Sequence, residues 1–393
     1  MFLSRGNRFL YKFIVNPYWS SCLYNINLTK SNIIKGEGNL KDYSEICTKY
    51  LDELLKKINC VPIKGADLEH TILRTLIGTS RTTRLGPMPS AETNKEILNR
   101  IHEKVKQNSP LEVTSAWGAI KTIPSKDKGV DLAELLTLKQ FHAISNAIKK
   151  IYPPGIRFNI FLGDSYYSYL YGFDSQINNY YEGMKLLTKE YKEVNLIRLS
   201  ELCKDLDFIK QQCQNNYELL RKYWFETSKI SPELYDKTSS FRDLQEAGWI
   251  GTITPVMREF YLKRMTKLYP NESVEFRIDK IIHFFAYGLM ISQNDLMGRK
   301  KAETSTVDAC LLRVPPPDLP RKLYSNRLRL RIVPESIAQS SAPPWTVAGT
   351  IDINDNEELR THFIDINAYK MTKLEEFNYG NIKIGISKSE NVK

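Results

Sequence analysis

A chain of 393 residues, 42% of them hydrophobic and 26% charged, can bury a sizeable core as one large α/β domain or two smaller ones. Its formal charge of +11 favours a phosphate-bearing partner, either a nucleic acid or a small phosphorylated metabolite, although most of the basic residues stand beside acids, as on a solvated surface. No uninterrupted apolar run approaches the roughly 20 residues needed to span a bilayer, which argues against a membrane protein.

Residues 1–40 carry Arg5, Arg8, Lys12, Lys30 and Lys35 and no acid before Glu37. This is the charge bias of a mitochondrial transit segment, but the asparagine and aromatic content departs from an amphipathic one, so a basic, partly ordered arm is expected. A cytoplasmic protein is the expectation, with import by the arm left open. Residues 41–110 form a helical region. Tyr43, Ile46, Tyr50, Leu51, Leu54, Leu55 and Ile58 share one stripe of a helix over Asp42 to Ile58, and a second helix follows around Asp67 to Ile77. The loop from Gly78 to Ala91 holds Arg81 and Arg84 among small hydroxyl residues, either as an anion clamp or as an ordinary solvated loop. A third helix, Glu92 to Gln107, ends at Asn108-Ser109-Pro110.

Residues 111–393 read as an α/β domain. A strand from Leu111 to Trp117 leads through a polar loop with Lys121 into a long helix that starts near Asp131 and is stopped by Tyr152-Pro153-Pro154-Gly155. A second strand, Arg157 to Leu162, delivers Gly163-Asp164 at its carboxyl end, the edge at which ligands of open α/β sheets bind. Helices over Ile177 to Tyr191 and Ser200 to Phe225 flank a short strand at Val194 to Ile197, and further helices span Pro255 to Leu268 and Val274 to Met297. The period then changes. Leu328 to Val333, Thr346 to Ile351, Thr361 to Ile366 and Ile382 to Ile386 read as strands that either extend the central sheet or form a smaller one beside it. The expected fold is α/β: a Rossmann-like central sheet flanked by helices, with a helical N-terminal part and additional short C-terminal strands.

Six scattered cysteines without a C-x-x-C pair predict free thiols in a reducing compartment, and five histidines without ligand spacing predict no bound zinc. There is no G-x-G-x-x-G after a strand and no G-x-x-x-x-G-K-[ST], so neither a dinucleotide cofactor nor ATP hydrolysis is expected. No cofactor is called for.

The order of the signals resembles a known family. D-L-A-E at a helix start, I-Y-P-P-G, a strand ending in G-D-S, R-L-R-L-R-I-V-P and P-P-W-T-V-A-G are similar, in the same order, to the motifs of the pyoverdine/dityrosine biosynthesis family, which includes the isonitrile synthases. The resemblance covers roughly Leu111 to Ile366. It implies a transferase of secondary metabolism that adds a carbon from ribulose 5-phosphate to the α-amino group of an aromatic amino acid, so its partners are small molecules.

Carried over residue by residue, Asp131 and Glu134 match the family's helix-start acids and Asp164 its strand-end aspartate. Lys121 lies one residue off the family lysine, Arg329 and Pro334 match the R-L-x-I-x-P positions, and Trp345 matches the P-W tryptophan. The resemblance implies catalytic roles for Asp164, Glu134, Asp131 and Lys121, and substrate or phosphate binding by Arg329, Arg331 and Trp345; Arg81 and Arg84, outside its reach, are further anion-holder candidates from their loop alone. It departs at two family histidines, which here are Val333 and Thr346.

Each residue also has an ordinary reading. Asp131 is a helix-start acid, Glu134 and the arginines of the 328–333 strand face water, Asp164 caps a turn, and Trp345 packs at a core edge. Two further functions therefore stand beside the leading one. One is a binding protein for nucleic acid or another anionic partner, using mixed basic and aromatic runs such as Arg221-Lys222-Tyr223-Trp224. The other is a same-fold enzyme with different amino-acid chemistry.

Overall fold

The structure, a computed structural model, describes residues 40–78, 91–119, 121, 129–164, 174–202, 206–226, 262–263, 265–266, 269–293, 307–310, 328–331, 333–334, 344–353, 358–364 and 374–388. The basic arm, the loop with Arg81 and Arg84, and most of the helix expected over Pro255 to Leu268 lie outside these residues.

The N-terminal part is helical, as its stripes require: α1 (Leu40–Lys57), α2 (Leu68–Ile77) and α3 (Ala91–Lys106). Asp67 caps α2 by accepting a hydrogen bond from the His70 amide at 2.8 Å. In α1, Cys47, Tyr50, Leu51 and Leu54 are buried. Three of the six thiols, Cys47, Cys60 and Cys213, are free and buried, and burial pushes the first two up to about 12 and about 11.

The central unit runs β1 (Leu111–Trp117), α4 (Leu132–Lys149), β2 (Ile156–Leu162), α5 (Asp174–Thr188), β3 (Val194–Arg198), α6 (Leu199–Leu202), α7 (Leu206–Glu226), α8 (Val274–Gln293), β4 (Val307–Cys310) and β5 (Leu328–Arg329). Its five strands are all parallel, in the order β3-β2-β1-β4-β5. This is the Rossmann-like order, whose direction reverses between β1 and β4. The chain then builds a second sheet from β6 (Ala348–Ile353), β7 (Leu359–Ile364), β8 (Leu374–Tyr379) and β9 (Ile382–Lys388), in the order β7-β6-β9-β8. Here β6 and β9 are parallel and the outer pairs antiparallel.

The C-terminal strands thus take both courses left open by the sequence. The expected Leu328 to Val333 run pairs only over its first residues, as β5, and the later runs form the second sheet with β8 added. The expected Ser200 to Phe225 helix is α6 and α7, with residues 203–205 between them outside the described set.

Helix α4 is the middle layer. On one side Phe141 stacks on Phe158 of β2, ring centroids 4.4 Å apart and nearly coplanar. On the other, β6 approaches so closely that a Cβ on Gly349 would stand 2.4 Å from the Ala133 amide nitrogen, so only glycine fits there. Fourteen of its residues are buried, more than a one-faced stripe would leave. The second sheet is tied together internally by Asp352 of β6, which takes Arg360 of β7 at 2.6 Å and the Ser387 hydroxyl of β9 at 2.9 Å. Tyr50 of α1 reaches Thr361 of β7 at 3.1 Å, and the Tyr379 hydroxyl of β8 donates to Asp52 at 2.7 Å.

Candidate active site

Two charged clusters lie beyond the carboxyl ends of neighbouring strands. The first follows β1. Trp117 ends the strand, Gly118 lets the Trp345 indole close over the chain, and Lys121 turns inward. Its ammonium is 2.7 Å from Glu134 Oε2 and 3.0 Å from Asp131 Oδ1, and it also donates to the Pro344 carbonyl at 2.7 Å and the Val347 carbonyl at 2.8 Å. Four acceptors thus share three N–H groups, and the side chain is 2% exposed.

The acids come from the start of α4 because the local sequence is a capping box. Asp131 accepts from the Ala133 amide at 2.8 Å, while Glu134 accepts from the Asp131 amide at 3.0 Å. Asp131 also takes the Gly349 amide of β6 at 3.1 Å. Glu134 Oε1 accepts from the Tyr180 hydroxyl at 2.9 Å, which in turn accepts from the Trp117 indole N–H at 2.8 Å. Burial pushes the Glu134 carboxyl up to about 8 against the pull of Lys121, and burial together with the Glu134 charge holds the Tyr180 phenol well above its ordinary value.

The second cluster follows β2 and β3. Asp164, 3% exposed, accepts Arg198 Nε at 2.7 Å, the Ser200 hydroxyl at 2.5 Å and the Ser200 amide at 3.0 Å. Arg198 is the last residue of β3 and pairs in register with Leu162 of β2. Its guanidinium lies over the Tyr181 ring, 4.9 Å from the centroid, and Nη2 reaches Asn178 Oδ1 at 3.4 Å.

The residues singled out in the sequence are therefore divided. Lys121, Asp131 and Glu134 meet in one cluster, and Trp345 packs beside them against Trp117, ring centroids 5.4 Å apart. Asp164 sits in the other cluster. Arg331 is half-buried and has partners, the Arg329 side chain lies outside what is described, and Arg81 and Arg84 lie outside entirely. Glu134 is wholly buried, so its water-facing reading does not hold. Val333, at a family histidine position, is buried in the core with Pro334 beside it.

The available histidines lie in other settings. His142 pairs with Glu193 at 2.6 Å, and His283 stacks on Tyr217 with centroids 4.1 Å apart. Sequence reasoning missed Tyr180, Arg198 and Ser200. Arg198 had a usable signal, since it ends β3 as Gly163-Asp164 ends β2.

Fold and clusters define an open parallel-sheet α/β protein with charged groups gathered at the carboxyl edge. Residues 125–247 match the family model described as pyoverdine/dityrosine biosynthesis protein, within the stretch whose motifs resemble that family. Among solved structures, the PvcA protein of Pseudomonas aeruginosa is similar with a TM-score of 0.52 at 16% identity, over 82% of this chain and 100% of that one. The chain has a PvcA-like fold. Plasmodium falciparum tryptophanyl-tRNA synthetase gives a TM-score of 0.20 at 13% identity over half of each chain, which carries no argument. No curated protein matches by sequence. Among the described residues no helix is long and apolar enough to cross a membrane.

Proposed function

We propose that the chain is a biosynthetic enzyme of the isonitrile-synthase type, modifying the α-amino group of an amino acid, an aromatic one by the family resemblance, with ribulose 5-phosphate as carbon donor. The observation that carries this reading is the extent of the family match. Residues 125–247 hold α4, β2, α5 and β3, and with them Asp131, Glu134, Asp164 and Arg198, the charged groups of the carboxyl edge.

Carbon transfer from a ketose begins when the amine nitrogen bonds to the carbonyl carbon. A base takes a proton from nitrogen, an acid gives one to oxygen, and water leaves to form the imine. Asp164 is the carboxylate of the corner for the first task, with Ser200 and Arg198 fixing its two oxygens. Lys121, Asp131 and Glu134 hold the edge in shape, because the Lys121 ammonium and both Glu134 oxygens are engaged by protein groups.

The test is to incubate purified protein with tyrosine or tryptophan and ribulose 5-phosphate and to follow isonitrile by mass spectrometry. If neither substrate is consumed while an active family member consumes both, the reading falls. A thermal-shift titration supports it independently, since a ligand at 100 times its Kd adds about 2.7 kcal/mol.

One observation favours a second reading. Val333 fills core at a position where the family carries histidine, a proton carrier suited to neutral pH. A same-fold enzyme with other amino-acid chemistry, or a binding protein, fits that replacement. Saturable amino-acid binding without isonitrile formation would favour it, and salt-dependent binding of single-stranded RNA would favour the nucleic-acid version.

A further inference from the structure

Five N–H groups fan out from a guanidinium, and at Arg198 only two of them have partners among the described residues: Nε on Asp164 and one Nη2 hydrogen on Asn178. The group is 27% exposed, and the Tyr181 ring covers one of its faces, so its remaining N–H groups lie along the edge of a plane whose orientation is already fixed. That edge stands at the carboxyl end of β3, beside Asp164, with β2 between it and β1. Lys121 differs on each count, being 2% exposed with more acceptors than hydrogens.

We propose that Arg198, held by Asp164, Asn178 and Tyr181, is a binding residue for the anionic group of the substrate, an oxyanion that presents two oxygens in one plane. A guanidinium engages such a group through two parallel hydrogen bonds, which a lysine ammonium cannot reproduce. The amino-acid carboxylate and the sugar phosphate of the enzyme reading share this chemistry, so the site rests on that reading for its probes and not for its geometry. Asp164 tunes the site. Its charge shares the same guanidinium and repels an incoming anion, so the fork binds weakly enough to release product.

The experiment is an equilibrium titration of the full chain with inorganic phosphate, ribose 5-phosphate, tyrosine and tyramine. The wild type should bind saturably below about 10 mM, a range that includes a Kd of about 1 mM. Binding of phosphate and ribose 5-phosphate alone identifies the phosphate as the ligand, and binding of tyrosine but not tyramine identifies the carboxylate.

Arg198→Lys should weaken binding at least about tenfold, and Asp164→Asn should tighten it about threefold or more by removing the like charge. Arg198→Met alone would strand a buried carboxylate, so the double variant Arg198→Met with Asp164→Asn is the fold-safe control, expected to keep its circular dichroism and lose binding. No saturable binding by the wild type, or wild-type affinity in the folded double variant, would overturn the proposal. Isonitrile formation with unchanged KM in Arg198→Lys would also overturn it and spare the enzyme reading. Binding that depends on Arg198 with no product formed would do the reverse.

Discussion

The two charged clusters at the sheet's carboxyl edge use similar residues to opposite ends. Around Lys121 two carboxylates and two carbonyls, from residues as far apart in sequence as Asp131 and Val347, close on one ammonium that is 2% exposed, and Tyr180 holds the other oxygen of Glu134. Around Asp164 the partners come from β3 and the residues just after it, and one of them, Arg198, is 27% exposed and keeps N–H groups without partners among the described residues. The lesson is that position at a strand end does not by itself make a functional group. Spare hydrogen-bonding capacity does, because a saturated ion can bind a ligand only by giving up a protein partner.

The largest effect that would confirm this contrast is on stability. Lys121→Met leaves Glu134 and Asp131 facing each other without a cation, and should lower unfolding free energy by about 3–5 kcal/mol in urea titration. A loss under about 1 kcal/mol would mean that the cluster is not a joint. Gly349→Ala should follow, at about 1–3 kcal/mol, because the added methyl meets the α4 backbone, which cannot rotate aside as a flexible side chain could.

Next comes pH. The folded protein holds the Glu134 proton more tightly than the unfolded chain, whose carboxyl stays near 4.5, so the contribution of this group to stability should be fully present below that value and be lost as pH rises to about 8. Glu134→Gln should remove this slope in a series of melting curves, and an unchanged slope would assign it to another group. Smallest is Asp164→Asn, which keeps an acceptor for the Ser200 amide and should cost less than about 1 kcal/mol. If it costs as much as Lys121→Met, the two clusters are not different in kind.

Where the sequence was legible, local chemistry decided the outcome. Strand β1 has the bounds expected from Leu111 to Trp117, and Asp131 starts α4 because a capping acid followed three residues later by glutamate is complete within one turn. The burial of Glu134 was not legible, because its carboxylate is enclosed by Lys121 from the loop after β1 and by Tyr180 of α5, groups that only the fold brings together. Strand β8 was hidden for a related reason: Leu374 to Tyr379 carries two exposed glutamates, so its membership of a sheet depends on pairing with β9 more than on its own pattern. Arg198 was obscured by the mixed charges of the preceding KEYKEV run, which reads as solvated surface until β3 is paired with β2.

The bond from Lys121 to the Pro344 carbonyl spans 223 residues. On a ribosome that adds about 5–20 residues per second, the parallel core can form while this ammonium and its two acids still wait roughly 10–45 s for the segment that shields them. During that interval α4 has one face covered and the other open to water or to a chaperone. A chain interrupted before Pro344 keeps this nascent state permanently, so an early stop codon there should yield a protein that is recognised as unfinished and degraded, although every strand of its first sheet has been made.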